Sequence, residues 1–304
     1  MTSTDPIEPS SSEELARGKA GSFAHRRPVE AFLVLSLGIG WTVLAIPAIA
    51  GIPMAPFLLG LVFVALLGSA LVVTRAADGP GGVRRLLARN LIWRFGFLRW
   101  IVIAFGMPVL TLVIAGASGT LRPPTDGWLS MTTTYLIGTF IIGALILNLW
   151  EETAWAGFVQ SRLMARHGLL MASLLTAIPF AAIHIPLQFE GDWTWSGALR
   201  GVAIVFALAP FYRYLLGMHL LDTRGSLLAA GVQHASWNEA TKLDAVSGDW
   251  QVPVAVLLLT VLVAVGRRLW RPESRPMDRI AEEVTAAEWT AAPALSQRTE
   301  AQAP

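Results

Sequence analysis

Blocks of fourteen to twenty-six mostly apolar residues recur along this chain, and a block of about twenty is long enough for a helix to cross the ~30 Å hydrocarbon layer of a bilayer. They run over Ala31–Ala50, Pro56–Val73, Ile101–Ala115, Thr133–Phe158, Leu169–Leu187, Ser196–Leu216, Ser226–Ala240 and Val252–Val265. The composition agrees: 54% of residues are hydrophobic and 14% charged, against about 25% charged in a soluble domain. The fold class that follows is an all-α, polytopic membrane protein with about eight transmembrane helices. The net charge of +2 carries no nucleic-acid signal, because the arginines flank the apolar blocks. There is no cysteine, so disulfides and thiolate metal ligands are excluded.

The polar stretches between and around the blocks set the organisation. Residues 1–30 read as a disordered tail, without the short apolar core and small-residue cleavage site of a signal peptide. Residues 31–129 hold the first three spans and a basic loop with Arg75, Arg84, Arg85, Arg89, Arg94 and Arg99. Within that loop, 83–97 has the character of an amphipathic interfacial helix. Residues 130–268 hold the remaining spans, and 269–304 form a polar tail with one short helix expected over 277–289. Arginines fall on alternate loops: Arg26 and Arg27, the loop before the third span, Arg162 and Arg166, Arg213 and Arg224, then Arg267, Arg268 and Arg271. An even number of spans puts all of them on one side. The positive-inside rule makes that side the cytoplasm, with both termini, in an inner (plasma) membrane. The other loops carry Asp126, Glu190, Asp192, Asp244 and Asp249. No internal repeat is visible.

Three places break the apolar pattern with chemistry. Glu151 and Glu152 lie within the fourth block, in Trp150-Glu151-Glu152-Thr153-Ala154-Trp155-Ala156-Gly157. A carboxylate at that depth costs several kcal/mol unless it is paired or faces a watery cavity. The fifth block contains Phe180-Ala181-Ala182-Ile183-His184, and the seventh His234-Ala235-Ser236-Trp237-Asn238. Residues four apart share a helix face, so Phe180 goes with His184 and His234 with Asn238. A carboxylate, two imidazoles and an amide meeting in one cavity suffice for water activation and oxyanion binding. Glu151, His184 and His234 would equally suit a divalent metal such as zinc, although no His-Glu-x-x-His pair is present.

These segments resemble the motifs of the CPBP family, the CAAX-protease and bacteriocin-processing (Abi-type) membrane proteins. Its pattern is Glu-Glu-x-x-x-Arg, Phe-x-x-x-His and His-x-x-x-Asn or Asp. Glu151 and Glu152, Phe180 and His184, and His234 and Asn238 match in order and spacing over about 130–240. The resemblance implies an intramembrane endopeptidase with a peptide or protein substrate. Glu151, Glu152, His184, His234 and Asn238 would form its catalytic set. In one framing Glu151 and His184 polarise a water while His234 and Asn238 bind the oxyanion; in the other the same side chains hold a metal. The chemistry favours the metal-free version, since base, orienting imidazole and donors are all present. Family members in eukaryotes trim prenylated C-termini, but no prenyl pocket is visible here.

One position departs: Ala156 stands where the pattern has arginine. Arg162 or a bound ion is then expected to stand in, with one of the two adjacent carboxylates otherwise protonated. Glu151 is assigned the base and Glu152 the role of an anchor seeking a donor on a neighbouring helix. Restoring the cation by Ala156→Arg is expected to keep or raise activity.

Blander readings stand beside these. His184 alone could be a helix–helix hydrogen bonder, Phe180 packing, and Trp150 and Trp155 interfacial anchors. His167 and His219 fall in arginine-bearing loops and receive no role. Gly116-Ala117-Ser118-Gly119 has a Gly-x-Ser-Gly pattern but sits where a span ends in a Pro/Gly loop, so it reads as a turn. A catalytically degenerate scaffold or immunity protein would tolerate the loss of the arginine. A transporter or channel would also carry intramembrane acids.

Overall fold

The computed structural model describes residues 23–270. Among them the regular structure is helical: α1 (Pro28–Ala50), α2 (Ala55–Leu91), α3 (Phe97–Ala117), α4 (127–167), α5 (169–183), α6 (Trp195–Asp222), α7 (Leu227–Ala240) and α8 (Gln251–Trp270). Helices satisfy their own backbone groups, as a lipid solvent demands. Large apolar side chains such as Val34, Ile49, Val72, Val113, Ile178 and Leu199 face outward. In water that surface would be a liability; against lipid tails it is ordinary.

Glycines rather than prolines make the sharp breaks. Gly79 (φ 71°, ψ −172°) bends α2, and Pro80 then opens the second half in the first-turn position it favours. Gly168 (φ 72°, ψ 173°) separates α4 from α5. Only a residue without Cβ adopts these angles freely. Six stretches are long and apolar enough to cross a membrane, and one of them, Gly127–Phe189 at 63 residues, is divided by the Gly168 break. The 14-residue α7 is about 21 Å long, shorter than the hydrocarbon layer. It is enclosed instead, with only Leu228, Trp237 and Asn238 not buried.

Several expected boundaries move. The interfacial helix expected over 83–97 ends at Leu91, and Ile92–Gly96 is irregular before α3 begins. The fifth helix stops at Ile183 rather than Leu187, followed by a 3-10 turn over Ile185–Phe189 that contains Pro186. Residues 23–26, taken as part of a disordered tail, are helical, and α1 starts at Pro28. The rest of that tail and the helix expected over 277–289 lie outside the described residues. The largest change is in α6, which continues past Leu216 to Asp222, so His219 is inside a helix and not in a loop, and Arg213 is well inside the helix rather than at the edge of a loop. Gly217 is a contact point, facing Leu169, Gln160 and Ser173. The true stop is Gly225 (φ 77°), whose N–H returns to the Leu220 carbonyl at 2.7 Å.

The bundle has two distinct ends. At one, Arg89 donates to the carbonyls of Gly225 (2.9 Å) and Gly157 (3.2 Å) and to Ser161 Oγ (3.1 Å). Arg162 pairs with Asp78, Arg267 with Asp222, and Arg224 donates to the Arg94 carbonyl. At the other, the loop after α3 pairs with the loop after α7 through Arg122 N–H to Ala245 O (2.9 Å) and Ser247 N–H to Thr120 O (3.0 Å). Arg89, Arg162, Arg224 and Arg267 thus share one end, and Arg122 lies at the other.

Candidate active site

Helix α7 brings its motif to α4 by close backbone approach. A Cβ on Gly231 would lie 2.8 Å from Leu149 Cα, and one on Gly143 would lie 2.6 Å from Ala235 Cβ. Small residues at such a seam let two membrane helices pack backbone to backbone. Tyr135 and Ser236 hydroxyls both donate to the Ala104 carbonyl and so tie α4 and α7 to α3. The seam sets the height of His234 against the two glutamates, eight and nine residues past Gly143.

Successive residues on a helix point in different directions, and Glu151 and Glu152 meet different partners. Glu152 is fully buried and faces inward. Its Oε1 accepts from His234 Nδ1 at 2.9 Å. Both its oxygens accept from Arg213 Nη1, at 3.0 and 2.9 Å. Arg213, on α6, is also fully buried. Its other two donors, Nε and Nη2, go to Gln160 Oε1 at 3.0 and 2.6 Å. The cation expected near the glutamates is therefore Arg213. Arg162 is engaged by Asp78 instead. With a guanidinium on Glu152, the reason for expecting a protonated carboxylate is gone.

Glu151 forms the open layer. Its Oε1 is 3.9 Å from His184 Nε2 and its Oε2 is 3.9 Å from His234 Nδ1. Asn148 Nδ2 donates to Oε2 at 3.3 Å. The His184 side chain is 22% exposed and that of Glu151 10%, against 0% for Glu152 and Arg213, so the Glu151–His184 edge is the open side of the cluster. His184 Nδ1–H donates to the Phe180 carbonyl at 2.6 Å. A carbonyl only accepts, so Nδ1 carries a proton, and in the neutral ring the Nε2 lone pair is then on the side of Glu151. Phe180 packs at the centre, its ring 4.8 Å from that of His184, 5.9 Å from His234 and 6.0 Å from Tyr212. Asn238 is exposed at the rim. It reaches Glu151 only through Asn148, whose Oδ1 accepts from Asn238 Nδ2 at 3.4 Å.

The structure thus brings Glu151, Glu152, His184 and His234 into one cluster, with Asn238 one residue removed. Three members escape sequence reasoning. Asn148 and Gln160 are lone amides in an apolar run, a faint signal. Arg213 carried a clear one, a charge flanked by Phe211-Tyr212 and Tyr214-Leu215-Leu216, masked by treating Gly217 as a helix end. His167 is exposed at the α4–α5 break, whereas His219 is buried in α6.

The sequence also allowed a metal on Glu151, His184 and His234. Among the described residues no group of three His, Cys, Asp or Glu is arranged to hold one. His234 Nδ1, the ring nitrogen that faces Glu151, is committed to Glu152, and Glu152 already carries a guanidinium.

Residues 133–240 match the family model described as Type II CAAX prenyl endopeptidase Rce1-like. All three motifs lie inside that stretch, and the resemblance to the CPBP, or CAAX-protease, family is thereby shown for it. No curated protein matches the chain. The molecule is a polytopic helical membrane protein whose motif-bearing segment is similar to that family model.

Proposed function

We propose that this protein is an intramembrane endopeptidase that hydrolyses a peptide bond with a water activated by Glu151 and His184. The observation that carries this reading is the Glu151 carboxylate facing the His184 Nε2 lone pair across 3.9 Å at the open edge of the site. Two acceptors so placed are bridged by a group that donates to both, which is what a water does. Glu151 takes a proton from that water as the hydroxide adds to the substrate carbonyl. His234, as the imidazolium with Nδ1–H on Glu152, donates from Nε2 to the oxyanion, with Asn238 beside it at the rim. Glu151 returns the proton to the departing amine. The peptide or protein substrate arrives from the bilayer or its surface.

The test is purified protein in detergent, a fluorogenic peptide library, and ¹⁸O-labelled water. Cleavage should place one ¹⁸O in the new carboxyl group and persist after dialysis against a zinc chelator. Cleavage lost on chelation and regained with zinc would overturn the metal-free mechanism. No cleavage of any peptide would count against the peptidase itself.

The same reading takes the arginine-rich end as cytoplasmic. The chain lacks cysteine, so introduced ones report without background. Cysteine at Thr125, in the acidic loops, should react with an impermeant maleimide in intact cells. Cysteine at the exposed Arg84 should react only after lysis. The reverse pattern would invert the topology.

A further inference from the structure

Arg213 is a charged side chain about 14 Å from the end of α6, fully buried, with each of its three nitrogens engaged. Its partners form a continuous path. Ser173 Oγ accepts from Gln160 Nε2 at 3.3 Å, and the same nitrogen donates to the Arg213 carbonyl at 2.7 Å. Gln160 Oε1 holds two guanidinium nitrogens, the third holds Glu152, and Glu152 Oε1 holds His234 Nδ1. The guanidinium carbon also lies 5.1 Å from the centre of the Phe180 ring, the ring against which both histidines pack. A planar fork satisfied on both edges has one orientation, and so has the carboxylate it grips.

Ala156 explains why this arginine fits. It is fully buried, four residues after Glu152 and four before Gln160. The guanidinium joins the side chains on either side of it, across a position that carries only a methyl group. In the motif pattern an arginine would occupy position 156 itself. We propose that Arg213 is a positioning residue that enters from α6 through the space Ala156 leaves, fixes Glu152, and through Glu152 holds the Nδ1 proton and the aim of His234. The assignment rests on the peptidase reading for its catalytic meaning. It does not rest on it for the grip on His234, and the two are measured separately.

The experiment compares wild type, Arg213→Lys, Arg213→Ala and the transplant Arg213→Ala/Ala156→Arg in detergent. One readout is kcat and KM on a peptide that wild type cleaves. The other is the ¹⁵N spectrum of histidine-labelled protein, with the His234 signals identified by their loss in His234→Gln. In wild type, His234 should show a protonated Nδ1. Arg213→Ala should lose that signature and lower kcat about 100-fold, the cost of a small misplacement of a reacting group, with KM within threefold. The transplant should regain the signature and at least a tenth of wild-type kcat. Arg213→Lys keeps the charge without the fork, so it remains informative if Arg213→Ala does not fold; it should fall between. An unchanged His234 signature in Arg213→Lys or Arg213→Ala, or a folded transplant that regains neither readout, overturns the proposal. A wild type that cleaves nothing sinks the peptidase reading, while the spectra alone still decide whether Arg213 governs His234.

Discussion

Glu151→Gln is expected to abolish peptide cleavage, by at least ~10³-fold, and leave the protein folded. A neutral amide cannot take the water proton, and general-base catalysis contributes about 10²–10⁴-fold. The fold should tolerate the change because Glu151 has no guanidinium to orphan; its hydrogen bond from Asn148 at 3.3 Å can be accepted by the glutamine oxygen. Glu152→Gln should behave differently. It removes the counter-charge of a fully buried arginine, and breaking a buried ion pair from one side costs about 3–5 kcal/mol. The pair of variants therefore separates chemistry from architecture: turnover lost at unchanged melting temperature for Glu151→Gln, and a large fall in melting temperature for Glu152→Gln. Wild-type turnover in Glu151→Gln would show that Glu151 is not the base and would return the molecule to the scaffold alternative.

Ala156→Arg as a single change is expected to prevent folding, the opposite of what the missing motif arginine suggests on sequence grounds. Position 156 is fully buried, and the Arg213 guanidinium joins Glu152 to Gln160 across it. A second guanidinium would face the first across one carboxylate. Overpacking costs about 1–3 kcal/mol, and an uncompensated buried charge costs several more. The sum reaches the ~5–15 kcal/mol that holds a domain together. Yield, monodispersity in detergent and melting temperature read the outcome. Recovery on removing Arg213 would locate the conflict at that pair. A single variant that is as stable and active as wild type would show that the two arginines do not compete for one space.

The clustered polar groups were legible in the sequence because lipid makes them conspicuous. An acid pair and two histidines stand out in apolar helices, and helical spacing links Phe180 to His184 without tertiary information. The even distribution of arginines likewise foretold that their loops meet at one end. Arg213 was hidden because a charge near a glycine looks like a helix boundary. Gly217 is a site of close packing between α5 and α6, and only the neighbour's position distinguishes that from a stop. The 83–97 segment was overextended because its alternation of arginine and apolar residues continues through Gly96, where the chain turns at φ 105°. Asn148 and Gln160 gain their meaning from partners 90 and 53 residues away, separations that no local pattern encodes.

The Glu152–Arg213 pair also constrains how the chain can be made. Its members arrive on separate helices, and an arginine or acid at the centre of an isolated helix costs about 2.5–3.5 kcal/mol on the insertion scale. Helix α6, which carries Arg213, has the lowest mean hydropathy of the six crossing stretches among the described residues, 1.5, against 1.9–2.6 for the others. Glu152, emerging first from the ribosome, must wait about sixty residues of synthesis for its partner, ~3–12 s at ~5–20 residues per second. The expected consequence is that α4 stays at the insertion machinery, or tilted with its acids toward water, until α6 arrives and the Glu152–Arg213 pair can close.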